Sequence, residues 1–171
     1  MIDELRKVGK VGIGVAIRAS AHVPDVSSAQ ALKRELLQAD VIVFNRSSTG
    51  LYVEKMLKSL GGVGAVAPRS VRVDDGAAVM LRLLAGAAPH EIGFAAMTGI
   101  MLFEKQGVRL VRPLPPEVQK ATTYVAATLR RAESDADADA AKADAVAALL
   151  HHLRSANAKA DFVRAGVAAA N

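Results

Sequence analysis

The chain has 171 residues and no cysteine, enough length for one domain or two small lobes and nothing for disulfides or thiolate metal sites. It is 51% hydrophobic but only 4% aromatic, so any core is built from Ala, Val, Leu and Ile. The net charge of +5 suits an anionic partner, yet Lys and Arg are scattered and not interleaved with aromatics, which argues against a nucleic-acid surface.

No apolar stretch approaches the roughly 20 residues that span a bilayer, so no membrane insertion is expected. The opening MIDELRKVGK lacks the apolar segment of a signal peptide. Taken with Met1 as the natural start, it predicts a cytoplasmic protein.

VGIGVAIRAS (11–20) reads as a buried strand. After Pro24 and Asp25, Ser27 stands three residues before Gln30, a capping box that predicts a helix to about Gln38. VIVF (41–44) is short and continuously apolar, like a buried parallel strand. Ser47, Ser48, Thr49 and Gly50 follow, and Val53, Met56, Leu57 and Leu60 then recur at helical spacing before Gly61 closes the helix.

SVRV (70–73) is a further strand, and Asp74 or Asp75 caps a helix carrying Val79, Met80, Leu83 and Leu84 up to Gly86. EIGFAA (91–96) and VRLVRPL (108–114) read as strands around the ambiguous MTGIMLFEKQ. TTYVAATLR (122–130) is a long strand candidate. An Asp-Ala stretch then leads into a helix, with Ser134 as a possible cap and Val146, Leu149, Leu150 and Leu153 as its apolar stripe. SANAKADFVRAG predicts a last short helix closed by Gly166. Strands alternating with helices predict βαβ units: an α/β fold with a mainly parallel sheet and flanking helices.

The hydroxyl run has two readings. Ser and Thr are good N-caps, and one of three would suffice. A helix start also presents unpaired N–H groups and the positive end of its dipole, so a glycine and three hydroxyls there can hold a small anion. Other chemistry finds less support. GGVG (61–64) follows a helix and is no dinucleotide fingerprint. His151 and His152 are adjacent and cannot share a metal on one helix face, His22 and His90 lie near prolines, and no metal or other cofactor is expected. Tyr52 and Tyr124 read as packing groups with a wet hydroxyl. Glu54, Lys55, Lys58, Arg130 and Arg131 read as solvated charges. No nucleophile with a recognisable base is present, so no enzyme activity is expected.

Four stretches in order, VGIGVAIRA (11–19), ALKRELLQADVIVFNRSSTGLYVEKMLKSLG (31–61), MLRLLAGAAPHEIGF (80–94) and VRLVRPLPPEVQKATTYVAATLR (108–130), carry a resemblance. They resemble the C-terminal two-thirds of bacterial type II periplasmic solute-binding proteins, the molybdate-binding branch above all. LRSANAKADFVRAG (153–166) is similar to that family's final helix.

The resemblance implies two α/β lobes that close on one ligand. Residues 22–115 would form the ligand-binding lobe, with 1–21 and 116–171 as crossover strands and C-terminal helices of a partial other lobe. It implies backbone contacts to a small anionic solute, such as molybdate, at the turn of Asn45, Ser47, Ser48, Thr49 and Gly50, and at Gly76 and Ala77. It also implies a periplasmic location and an ABC permease as partner.

The sequence departs from the family in two places. Residues 93–96 are Gly-Phe-Ala-Ala, without the tyrosine that molybdate binders place three residues after the glycine. The family's signal peptide and first half-lobe have no counterpart, which leaves open a shortened relative that no longer binds solute and hides exposed sheet by forming a homo-oligomer.

Overall fold

The computed structural model describes residues 2–61, 63–129 and 136–169. The chain forms two compact units, one of Gly12–Ala121 and one of Met1–Val11 with Thr122–Asn171.

In the larger unit, β1 (Ile2–Arg18, from residue 12 onward), β2 (Val41–Asn45), β3 (Ser70–Val73), β4 (Glu91–Ala96) and β5 (Val108–Pro113) pair in the order β3-β2-β4-β1-β5. β2 is parallel to both β3 and β4. β1 runs antiparallel to β4 and to β5, with a register shift between Val15 and Ala16, so the sheet is mixed. The parallel part is what βαβ units require: α2 (Ser48–Ser59) connects β2 to β3, and α4 (Gly76–Ala85) connects β3 to β4.

The period of two along each strand divides the core between the faces of the sheet. Ile42, Phe44, Ile92 and Phe94 pack with Leu32 and Leu36 of α1 (Ala29–Gln38) and with Val53, Met56 and Leu57 of α2. Val43, Ala95 and Ala16 pack on the other face with Val79, Met80 and Leu83 of α4 and Ile100 of α5 (Met97–Met101). Gly93 sets the closeness of α4, because a Cβ there would sit 2.8 Å from Leu83 Cδ1. The remaining piece, α3 (Val63–Val66), leads into a 3-10 turn before β3.

The smaller unit holds residues 2–11 of β1, β6 (Ala121–Leu129), α6 (Ala136–Leu153), α7 (Ala156–Arg164) and β7 (Ala168–Ala169). β6 pairs with β1, and β7 pairs antiparallel with it through Gly9↔Ala169 and Lys10↔Ala168. Ser155 caps α7 by accepting from Ala158 N–H, and Gly166 closes the turn at φ 81°.

Three sequence expectations need correction. β1 begins at Ile2 rather than Val11, because the charged residues before Val11 follow the extended pairing with β6 and β7. α1 is capped by Ser28, whose Oγ accepts from Ala31 N–H at 3.1 Å, and not by Ser27. The Ser27 N–H is held by Asp25 Oδ1 at 3.0 Å, an Asx-type turn that delays the helix by one residue. The stripe on α6 is only half sheltered: Val146 and Leu149 are exposed, while Leu150 and Leu153 are partly buried. The proposed cap at Ser134 and the pair Arg130 and Arg131 lie outside the described residues.

Candidate anion site

β2 and β3 end side by side, with Asn45 opposite Val73 in the parallel register. The turns that leave these two ends are therefore neighbours, and each opens a helix.

The first turn is organised by Asn45, which is only 5% exposed. Its Oδ1 accepts from Ser47 N–H (3.2 Å), Ser47 Oγ–H (2.9 Å) and Gly50 N–H (2.9 Å). Leu51 N–H closes the first helical bond onto the Ser47 carbonyl at 3.0 Å. The helix start thus spends the Gly50 and Leu51 donors internally. Ser48 and Thr49 keep backbone N–H groups with no acceptor among the described residues, and the NH2 of the buried Asn45 amide has none either.

Gly50 serves this arrangement through its size. A Cβ there would fall 1.6 Å from the Asn45 carbonyl oxygen, so glycine is required by the chain's own backbone rather than by an approaching ligand. Ser47, the N-cap by position, makes no side-chain cap bond, and the capping work belongs to Asn45.

In the second turn Asp75 caps α4, its Oδ1 accepting from Ala78 N–H at 2.8 Å, and Val79 N–H reaches the Asp75 carbonyl at 3.3 Å. The N–H groups of Gly76 and Ala77 have no acceptor among the described residues. Gly76 lies over the end of β4, where a Cβ would be 3.9 Å from the Ala95 Cβ.

Arg46 ties the turns together. Its N–H donates to the Val73 carbonyl (2.9 Å) and its guanidinium pairs with Asp74 Oδ1 (2.9 Å). The two acidic residues that could repel an anion are both engaged, Asp74 by this cation and Asp75 by the helix start.

The predicted residues therefore divide into two groups. Ser47, Ser48, Thr49, Gly76 and Ala77 line one strand-end edge, whereas Asn45 and Gly50 form the frame beneath the first turn. Sequence reasoning missed Arg46. The available signal was a lone cation between the strand end and the hydroxyl run, with an acidic pair opening the next helix. No group of three or more His, Asp or Glu residues able to hold a metal occurs among the described residues. Phe94 is fully buried, and residues 94–96 offer no side-chain hydroxyl at the end of β4.

The parallel part of this mixed sheet gathers two helix starts at the carboxyl ends of adjacent strands, the place where α/β folds commonly carry ligand sites. Residues 2–168 match the family model described as bacterial extracellular solute-binding protein, and the chain belongs to that family. An aconitate isomerase from Pseudomonas sp. is 26% identical over 159 residues, which is 91% of this chain and 55% of that protein. The chain thus spans about half the length of the curated relative it matches.

Among solved structures, a two-component system protein that mediates signal transduction superposes with a TM-score of 0.62 at 13% identity, over 95% of this chain and 54% of that one. An ABC-type phosphate transport receptor from Vibrio cholerae superposes with a TM-score of 0.51 at 12% identity, over 98% of this chain and 72% of that one. At such identities the likeness is one of fold. No helix among the described residues is long and apolar enough to cross a membrane.

Proposed function

We propose that the protein binds a small anionic solute at the paired turns of Ser47, Ser48, Thr49, Gly76 and Ala77. It would act as the binding component of an ABC-type uptake system outside the cytoplasmic membrane. The observation that carries this reading is the set of backbone N–H groups on Ser48, Thr49, Gly76 and Ala77, which have no acceptor among the described residues, at two helix starts that share one sheet edge. Such groups complement negative charge without a formal cation.

An oxyanion such as molybdate is the finer expectation, supported by the order of the sequence motifs. The missing hydroxyl at residues 94–96 weighs towards other anions. Aconitate belongs among the candidates because a relative is named for acting on it. We read the chain as a binder rather than an isomerase because the family that its residues 2–168 match is described as solute-binding.

The test is calorimetry with molybdate, tungstate, sulfate, phosphate and aconitate on the wild type and on two variants. Proline is tolerated at the first position of a helix, where it removes only an unused N–H. Ser47 is extended (φ −80°, ψ −172°), as a residue before proline should be. Ser48→Pro is therefore expected to keep the fold and weaken anion binding by about tenfold or more, the worth of one hydrogen bond to a charged group. Ser48→Ala keeps the N–H and should bind more tightly than Ser48→Pro. Absence of heat with all five anions at millimolar concentration ends this reading.

A further inference from the structure

We infer that Arg46 is the charge partner of the bound anion and that Asp74 is its competitor within the chain; this rests on the binding role proposed above. Arg46 is the only cation in either turn. It sits directly between Asn45, whose amide NH2 has no acceptor among the described residues, and Ser47, whose helix start presents two N–H groups likewise open among them. Its backbone is pinned to β3 through the Val73 carbonyl, so the side chain leaves from a fixed point between the turns.

The guanidinium spends one N–H on Asp74 and remains 65% exposed, while the Asp74 side chain is 87% exposed. A guanidinium has five donors in a planar fork matched to two oxygens of a carboxylate or oxyanion. Most of that fork is uncommitted among the described residues. An ion pair this exposed contributes little, too little to hold Arg46 against an anion that also receives the backbone donors. The bridge is thus weak enough to open. Asp74 would be released to water as the guanidinium turns to the solute.

The two members of the pair then act on affinity in opposite directions. Arg46→Gln removes a charge-assisted contact and is expected to weaken binding by about tenfold or more. Asp74→Asn frees the guanidinium and is expected to tighten binding by about two- to fivefold, the worth of an exposed ion pair. If the bridge merely held the turns in place, both substitutions would break it and both would weaken binding.

The double variant separates competition for Arg46 from the general field of a carboxylate. Competition predicts that Asp74→Asn gains little once Arg46 is Gln, whereas a pure field effect predicts the same gain in both backgrounds.

The experiment is calorimetry with the five anions named above on wild type, both single variants and the double variant, with circular dichroism to establish that each is folded. Opposite shifts with coupling support the inference. Binding by wild type with parallel shifts, additive shifts or no shift overturns it and leaves the binding role intact. No binding by wild type overturns both.

Discussion

Gly50 and Asn45 show what single residues settle in this fold. With the Asn45 carbonyl where a Cβ would stand, Gly50→Ala must push α2 away from the end of β2. Backbone cannot yield as a side-chain tip can, so the expected cost is about 3 kcal/mol or more, read from urea unfolding. Asn45→Ala removes the acceptor of three donors and should cost about 2 kcal/mol through the lost cap and the stranded Gly50 N–H. The sequence announced a helix start here. It did not show that Asn45, two residues before the hydroxyl run, does the capping, because a reach from Asn45 to Gly50 depends on how sharply the strand turns into the helix. Glu91 was equally hidden. It opens β4 at 4% exposure, its Oε1 accepting from Arg82 Nε at 3.1 Å while Oε2 is buried with no partner among the described residues. Arg82→Ala would strand that carboxylate and should cost about 3 kcal/mol, whereas Arg82→Lys, which keeps the charge but not the planar fork, should cost less. Equal stability of Arg82→Ala and wild type would show that water reaches Glu91.

At the scale of elements, the legible signals were those local chemistry writes strongly. The apolar runs at 41–44 and 91–96 became β2 and β4, and Gly61 and Gly86, at φ 72° and 59°, stop α2 and α4 as their positions suggested. The 3.6-residue stripe on α2 is buried because a sheet face lies beneath it. The same kind of stripe on α6 stays half exposed, since periodicity states which side is apolar and not whether anything covers it. Residues 2–10 carry too many charges to read as strand and are one through pairing alone, a case of tertiary context overriding composition. The start of α1 adds a pH-dependent case. The hydroxyl of Ser27, then its N–H, hold the Asp25 carboxyl below the ordinary aspartate range, and Arg34 at 3.9 Å acts in the same direction. A carboxyl with a lowered folded-state pKa contributes stability that is complete above its unfolded value and disappears as pH falls through the lowered value. An NMR titration should place the Asp25 midpoint below that of an exposed aspartate. Ser27→Ala should move the midpoint upward, because the largest contributor is gone. An unchanged midpoint in that variant would transfer the effect to the backbone N–H and Arg34.

On the scale of the whole molecule, the two units differ in how completely they bury what the sequence offers. In Gly12–Ala121, Val15, Ile42, Val43, Ile92 and Phe94 lie at 0% exposure, with helices on both faces of the sheet. In the other unit Tyr124 (53%), Val125 (49%), Leu149 (56%) and Val163 (64%) remain in water. Tyr124 and Val125 are consecutive on β6 and so point to opposite faces, which means that neither face of β6 is covered there by the described residues. Protection against amide exchange follows the burial that must be undone before a strand opens. Hydrogen exchange on the intact chain should therefore rank residues 42–44 and 92–94 slowest and residues 122–127 markedly faster, although both sets are strand. Adding the anion that binds tightest should slow the amides of Ser48, Thr49, Gly76 and Ala77 most, since these are the donors assigned to it, and leave residues 42–44 nearly unchanged. Uniform protection across β2, β4 and β6 would contradict the burial difference. A ligand effect confined to β6 would move the binding surface away from the paired turns.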